Sequence, residues 1–358
     1  MSGFLAVEEG GAATTIQDLG RFGVQALGVP VSGALDPTAL RLGNALVGNT
    51  PGTSALELRL LGPVLRVEAP AVRVALVGTE TPLEVLDPEP RLVPAGQSLT
   101  LTQGSRFRIG PIQDSAVCVL AVAGGIDVPE VFGSRSTYVR GGMGGLDGRP
   151  LRRGDLLPLA QANPPPGPEH CLAAPQNLRP IQTLRVVLGP QADYFSDAGL
   201  QTFFSEPYQV TREVDRMGMR LDGPTITHAK GFNIPSDGIV TGAIQVPGSG
   251  QPIILLADRQ TTGGYPKIGC VVSADLPALG RLNPGAVVRF KAVSAAEAIQ
   301  FRRDQEQALA AQISAIQPVQ SHSLEEALWT ENLISGGEWL QDFQSDFKPP
   351  GSGAFPRP

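Results

Sequence analysis

The ten residues Asp258-Arg259-Gln260-Thr261-Thr262-Gly263-Gly264-Tyr265-Pro266-Lys267 bring together a carboxylate, two cations, a carboxamide, two hydroxyls and a phenol. Arg offers a planar fork that matches a carboxylate or phosphate, and Lys a compact point charge. Arg259 and Lys267 are therefore candidate anion-binding groups. Asp258, or Asp18 in an earlier passage, is suited to orient a reacting nitrogen or act as base, and Tyr265 to donate to a developing oxyanion. Gln260, Thr261 and Thr262 would position substrate, with Gly263 and Gly264 letting the backbone approach it. A structural alternative stands beside each role: the loop would be a solvated hairpin, with Asp258 and Arg259 bridging two lobes.

Two further polar passages carry the same kinds of group. Thr14 to Leu35 contains Gln17, Asp18, Arg21 and Ser32, and Gly133 to Gly145 contains Ser134, Arg135, Ser136 and Thr137. Arg21 and Arg135 are candidate supporting cations, and Gln17, Asp18, Ser32 and Thr137 candidate substrate contacts. The alternative for the first passage is an Asp18–Arg21 pair across a turn. The second is Gly-rich but lacks the Lys-Ser/Thr ending of a phosphate-binding P-loop, and no helix-forming run follows it.

The rest of the composition excludes several chemistries. Three histidines, His170, His228 and His322, are too scattered for a Ser-His-Asp or Cys-His set, and none has a partner at metal-ligand spacing. No metal is expected. Cys118, Cys171 and Cys270 are odd in number and far apart, which fits reduced thiols in a cytoplasm. A net charge of −6 without a basic stripe argues against nucleic acid. No apolar run approaches the ~18 residues that a membrane helix needs, and the N-terminus shows no secretory pattern.

The elements that must hold these loops are mostly strands. Forty-three Gly, 33 Pro and only 5% aromatic residues in 358 predict many short strands joined by turns. Strand patterns recur at 64–68, 72–77, 83–86, 98–101, 106–109, 117–122 and 156–159, then at 184–188, 238–246, 252–257 and 286–292. The loop at 258–267 falls between two apolar strands. Asp36 as N-cap, Pro37 at the first helical position and Gly48 beyond the end predict a helix whose Ala39, Leu42 and Leu46 face a sheet. A helical stretch is expected near 191–205, and the capping box Ser294-Ala295-Ala296-Glu297 starts another that runs to about 316. Pro164-Pro165-Pro166 and Pro168 mark 161–180 as an exposed linker. The expected organisation is an N-terminal β lobe at 1–160, a C-terminal barrel lobe at 181–293, a helix at 294–318 and a tail at 319–358 with Trp329 and Trp339.

A local echo joins the passages. Arg21-Phe22-Gly23 resembles Arg216-Met217-Gly218, and Ser134-Arg135-Ser136-Thr137 resembles Asp258-Arg259-Gln260-Thr261. This suggests two related lobes, the first carrying an insertion.

Four stretches, 15–23, 28–37, 133–138 and 257–268, closely resemble the allophanate hydrolase subunit 2 family, also called the KipA-like or biotin-dependent carboxyltransferase family. The resemblance covers about residues 4–315 and implies a mainly β protein with two cyclophilin-like β-barrel lobes, a few short helices and a C-terminal helix. It implies a KipI-like partner and, for ATP-dependent opening of 5-oxoproline to glutamate, a LamB/YcsF-like subunit, with ATP on this chain or its partner. The alternative it implies is carboxyl transfer to urea or a related small amide, with biotin carried by another protein, since no biotinyl-lysine context occurs here. A second alternative is a non-enzymatic regulator of a KipI-like kinase inhibitor.

Overall fold

Short apolar runs broken by Gly and Pro turns fold into two β-rich halves in the computed structural model, which describes residues 3–319. The tail beyond, with Trp329 and Trp339, lies outside the described residues. In the N-terminal half a six-stranded sheet orders Leu156–Leu159, Gly3–Glu9, Val64–Glu68, Arg106–Ile109, Leu83–Asp87 and Arg91–Val93. A five-stranded sheet orders Thr15–Gln17, Ala55–Leu58, Cys118–Val122, Ala71–Val77 and Ser98–Thr102. Their facing side chains, among them Leu5, Leu65, Phe107, Leu56, Val74 and Leu120, form one core. Cys118–Val122 is buried on both faces because α1 (Pro37–Leu46) covers its outer side with Ala39, Leu42 and Leu46. The Asp36 side chain caps α1 by accepting from Ala39 N at 2.9 Å, as its position before Pro37 predicts.

Seven strands of the C-terminal half close into a barrel in the order Thr183–Leu188, Lys267–Val271, Ala243–Gln245, Ile253–Leu255, Gly218–Asp222, Tyr208–Val214 and Val287–Ala292. Parallel pairing of the first and last strands completes the ring. Phe203 of α2 (Asp197–Ser205) packs into its core, its ring stacked on Phe290 with centroids 4.3 Å apart. The protein is thus mainly β, and closure distinguishes its halves: the second is a sealed cylinder, the first two packed sheets.

Two expectations change in detail. The strand expected at 238–246 is split, because Gly242 at φ +87 turns the chain between Asp237–Gly238 and Ala243–Gln245. Asp237–Gly238 instead pairs with Thr262–Gly263, pinning the middle of the 258–267 loop. The Pro-rich stretch at 161–180 is exposed but tied down: Glu169 accepts from Ser98 Oγ and Thr100 N, and Arg73 donates to the Pro165 and Gly167 carbonyls. It thereby lines the otherwise open edge of the five-stranded sheet. A short α3 spans Leu276–Gly280, and the predicted capping box opens α4 (Ala295–Ser314), which Glu306 fastens to Arg41 of α1 at 2.8 Å.

Candidate functional site

The two halves meet where their polar passages converge. In the N-terminal half, Asp18 Oδ1 accepts from Ser134 Oγ at 2.7 Å, Ser136 Oγ at 2.5 Å and Gly20 N at 2.7 Å. Its Oδ2 accepts from Arg135 N at 2.6 Å. A carboxylate with this many donors fixes the 17–21 turn against the 134–136 loop. Arg21 is fully buried, donates to the Ser136 and Val131 carbonyls, and leaves Nη1 without a partner. Burial lowers its pKa, opposed by Asp18 and Asp258 nearby. Asp18 and Arg21 therefore do not pair directly. Gln17 donates to the Thr137 carbonyl at 3.1 Å, Thr137 Oγ1 donates to the Ile16 carbonyl, and Ser32, at φ +55, donates its N–H to the Ala257 carbonyl.

In the C-terminal half the arrangement repeats with charges. Arg216 grips Asp258 through Nε (2.9 Å) and Nη2 (3.2 Å), while Asp258 N donates to the Arg216 carbonyl at 2.8 Å. Arg216 also crosses to the other half, where Nη1 pairs with Glu57 and Nη2 reaches the Gly33 carbonyl at 2.6 Å. Burial alone would lower its pKa, but Glu57 and Asp258 outweigh that and hold it above the ordinary Arg value.

Beside this bridge lies a cleft in two connected chambers. The inner one, about 270 Å³, is walled by Thr15, Arg59, Tyr138, Arg140, Arg216 and Asp258. The outer one, about 480 Å³, shares Arg140, Asp215 and Met217 with it and adds Gln245, Gln260 and Tyr265. Of the loop residues, Asp258, Gln260 and Tyr265 thus reach the cleft. Arg259 lines neither chamber; it is buried, donating to Thr241 Oγ1 at 2.7 Å and the Ile239 carbonyl at 3.3 Å, and burial lowers its pKa. Lys267 lines neither chamber; its Nζ pairs with Asp237 at 2.7 Å. That pairing holds the Asp237 carboxyl below its usual range. Thr262 and Gly263 serve the small ladder with Asp237–Gly238, Gly264 accepts from Ile234 N, and Thr261 accepts from Ile239 N. The Arg135 side chain leaves the cluster for the Val128 carbonyl, with Asp127 and Glu130 close by.

Several cleft residues carry little or no signal in the sequence. Arg216 is visible only through its echo of Arg21, and Arg140 sits in the Gly-rich passage. Arg59 and Gln245, and the bridge residue Glu57, have no local signal, since each is a polar residue within or next to a short strand. No group of three or more metal-ligating side chains occurs among the described residues.

A β-barrel half is thus joined to a two-sheet half, with a charged cleft at their junction. The model of the carboxyltransferase domain, subdomains A and B, matches residues 27–292, and the chain belongs to this family. It is 36% identical to the C subunit of Escherichia coli 5-oxoprolinase over 305 residues, covering 84% of this chain and 95% of that one. With the Haemophilus influenzae protein of the same name it shares 37% over 301 residues, 82% and 92% of the two chains. Urea amidolyase of Lachancea kluyveri is 34% identical over 84% of this chain, which spans only 17% of that much longer protein. The crystal structure of Kluyveromyces lactis urea amidolyase superposes with a TM-score of 0.78 at 29% identity, covering 86% of this chain and 20% of that one. These relatives are enzymes or enzyme subunits.

Proposed function

We propose that this chain is the C-type subunit of an ATP-dependent 5-oxoprolinase, acting with a KipI-like and a LamB/YcsF-like subunit to open 5-oxoproline to glutamate. The observation that carries this reading is the near end-to-end match to the C subunit of 5-oxoprolinase, 95% of that chain, where urea amidolyase is matched over 17%. The cleft supports it chemically. Asp258, fixed by Arg216, offers a carboxylate to the ring nitrogen of a small lactam, while Tyr265 and Gln260 offer donors towards the carbonyl oxygen. Net opening consumes ATP and two waters and yields glutamate, ADP and phosphate. A partner protein packed over the outer chamber would close the cleft and bring ATP. The free thiols of Cys118, Cys171 and Cys270 support a cytoplasmic setting.

The match to urea amidolyase across 84% of this chain favours a second reading, carboxyl transfer to urea or a related amide. Carboxybiotin would then supply the carboxyl group from a separate protein. Reconstitution with the partner subunits separates the readings. Glutamate formation from 5-oxoproline with stoichiometric ADP supports the first; bicarbonate-dependent turnover of urea with a biotin carrier, and none of 5-oxoproline, overturns it. Tight binding of a KipI-like protein with no turnover of either substrate would leave only the regulatory role.

A further inference from the structure

Arg59 follows the strand Ala55–Leu58 and lines the inner chamber. Its Nε is buried and has no hydrogen-bond partner, and it forms no ion pair among the described residues. Every carboxylate in its neighbourhood is already engaged. Glu57 gives one oxygen to Arg216 and the other to Leu35 N at 2.7 Å. Asp258 gives both oxygens to Arg216. Asp215 turns Oδ1 to the backbone N–H groups of Met217 (2.7 Å) and Gly218 (3.0 Å). Burial lowers the Arg59 pKa, with Glu57 opposing and Arg216 reinforcing that shift. A second cation, Arg140, lines the same chamber and forms no ion pair or side-chain hydrogen bond among the described residues. A partly buried guanidinium without a protein acceptor leaves its donors to be met by water or by an anionic ligand in the chamber.

We propose that Arg59, with Arg140, forms a carboxylate-binding subsite that selects a small amide bearing a free carboxylate. The rest of the chamber fits such a ligand. Ala13, Val139, Pro150 and Met217 give it an apolar part, suited to the carbon body of a ring. Its 270 Å³ would hold ~9 waters at ~30 Å³ each, room enough for a five-membered lactam carboxylate. The guanidinium fork donates two parallel hydrogen bonds to the carboxylate and leaves the amide directed at Asp258. Arg59 thereby sets specificity, and its place is to bind and orient rather than to take part in bond changes. This deepens the 5-oxoprolinase reading and rests on it for the identity of the amide.

The test compares 5-oxoproline with 2-pyrrolidinone, the same lactam without the carboxylate, in the reconstituted complex. Arg59→Gln is expected to raise KM for 5-oxoproline at least tenfold and to lower the kcat/KM ratio of 5-oxoproline to 2-pyrrolidinone by a similar factor. Arg59→Lys restores part of both. An unchanged ratio overturns the subsite. Calorimetry on the chain alone gives a readout free of turnover: 5-oxoproline binds, 2-pyrrolidinone binds at least tenfold more weakly, and Arg59→Gln abolishes that difference. Equal binding of the two lactams by the wild-type chain, or full displacement of 5-oxoproline by equimolar inorganic phosphate, overturns it. A complex inactive on 5-oxoproline whose chain still shows the carboxylate preference removes the functional reading and keeps the subsite. Should Arg59→Gln fail to assemble, Arg140→Gln carries the same expectations with about a threefold effect.

Discussion

Two Arg-containing turns, each gripping a loop from the same half, sit side by side with opposite electrical designs. At Arg21 the carboxylate belongs to the turn, as Asp18, and the loop supplies neutral hydroxyls and amides from Ser134, Arg135 and Ser136. At Arg216 the carboxylate belongs to the loop, as Asp258, and the turn supplies the cation. The first arrangement is sealed, with Arg21 at 0% exposure and bonded only to carbonyls. The second borders the cleft and reaches across to Glu57. One local pattern thus serves as a latch in one half and as a site wall in the other. The difference is whether a chamber was left beside it.

The widest contrast is expected in stability. Arg216→Met strands Glu57 and Asp258 as buried, unpaired carboxylates and should cost ~3–5 kcal/mol in denaturant unfolding. Arg21→Met removes a cation whose partners are carbonyls and should cost ~1–3 kcal/mol. Equal losses would erase the distinction between a charged bridge and a neutral latch. In turnover the order concerns carboxylates: Asp258→Asn, which keeps an acceptor for Arg216, should lower kcat of the reconstituted complex by ~10²-fold or more. Asp18→Asn, in the sealed latch, should act on the melting midpoint far more than on kcat. The reverse ranking would move the chemistry away from the cleft.

The smallest effect concerns the buried side of the 258–267 loop. Burial pushes the Cys270 thiol up to about 11, with Arg259 opposing. The thiol is therefore neutral near pH 7, and its alkylation rate should climb about tenfold per pH unit between 8 and 10. Replacing Arg259 with Leu removes the opposing charge and should slow alkylation at pH 9. A plateau below pH 8 would mean that Arg259 activates this thiol, giving the buried side a chemistry of its own.

Much of this was legible locally. The Asp36 cap, the Ser294 capping box and the strand rhythm follow from rules that act over a few residues, and the structure contains all three. The 258–267 loop was legible as polar, but not which of its members share a cavity. Asp258 and Arg259 are adjacent, yet the turn closed by Arg259 N on the Leu256 carbonyl gives them different surroundings. Asp258 meets Arg216, and Arg259 meets Thr241 and Ile239. Arg59 gave no sign at all, because an Arg after a short strand is ordinarily a solvated one.

The sequence by itself determined the β-rich class, the helix ends and the chemical types gathered in each polar passage, since propensity, capping and turn chemistry are local. Only the tertiary structure decided which charges pair and which stay free. Glu57 and Arg216, 159 residues apart, neutralise each other across the junction and leave Arg59 without a carboxylate of its own. An ion pair is chosen by distance and burial after the halves have packed, and no short stretch of chain encodes either.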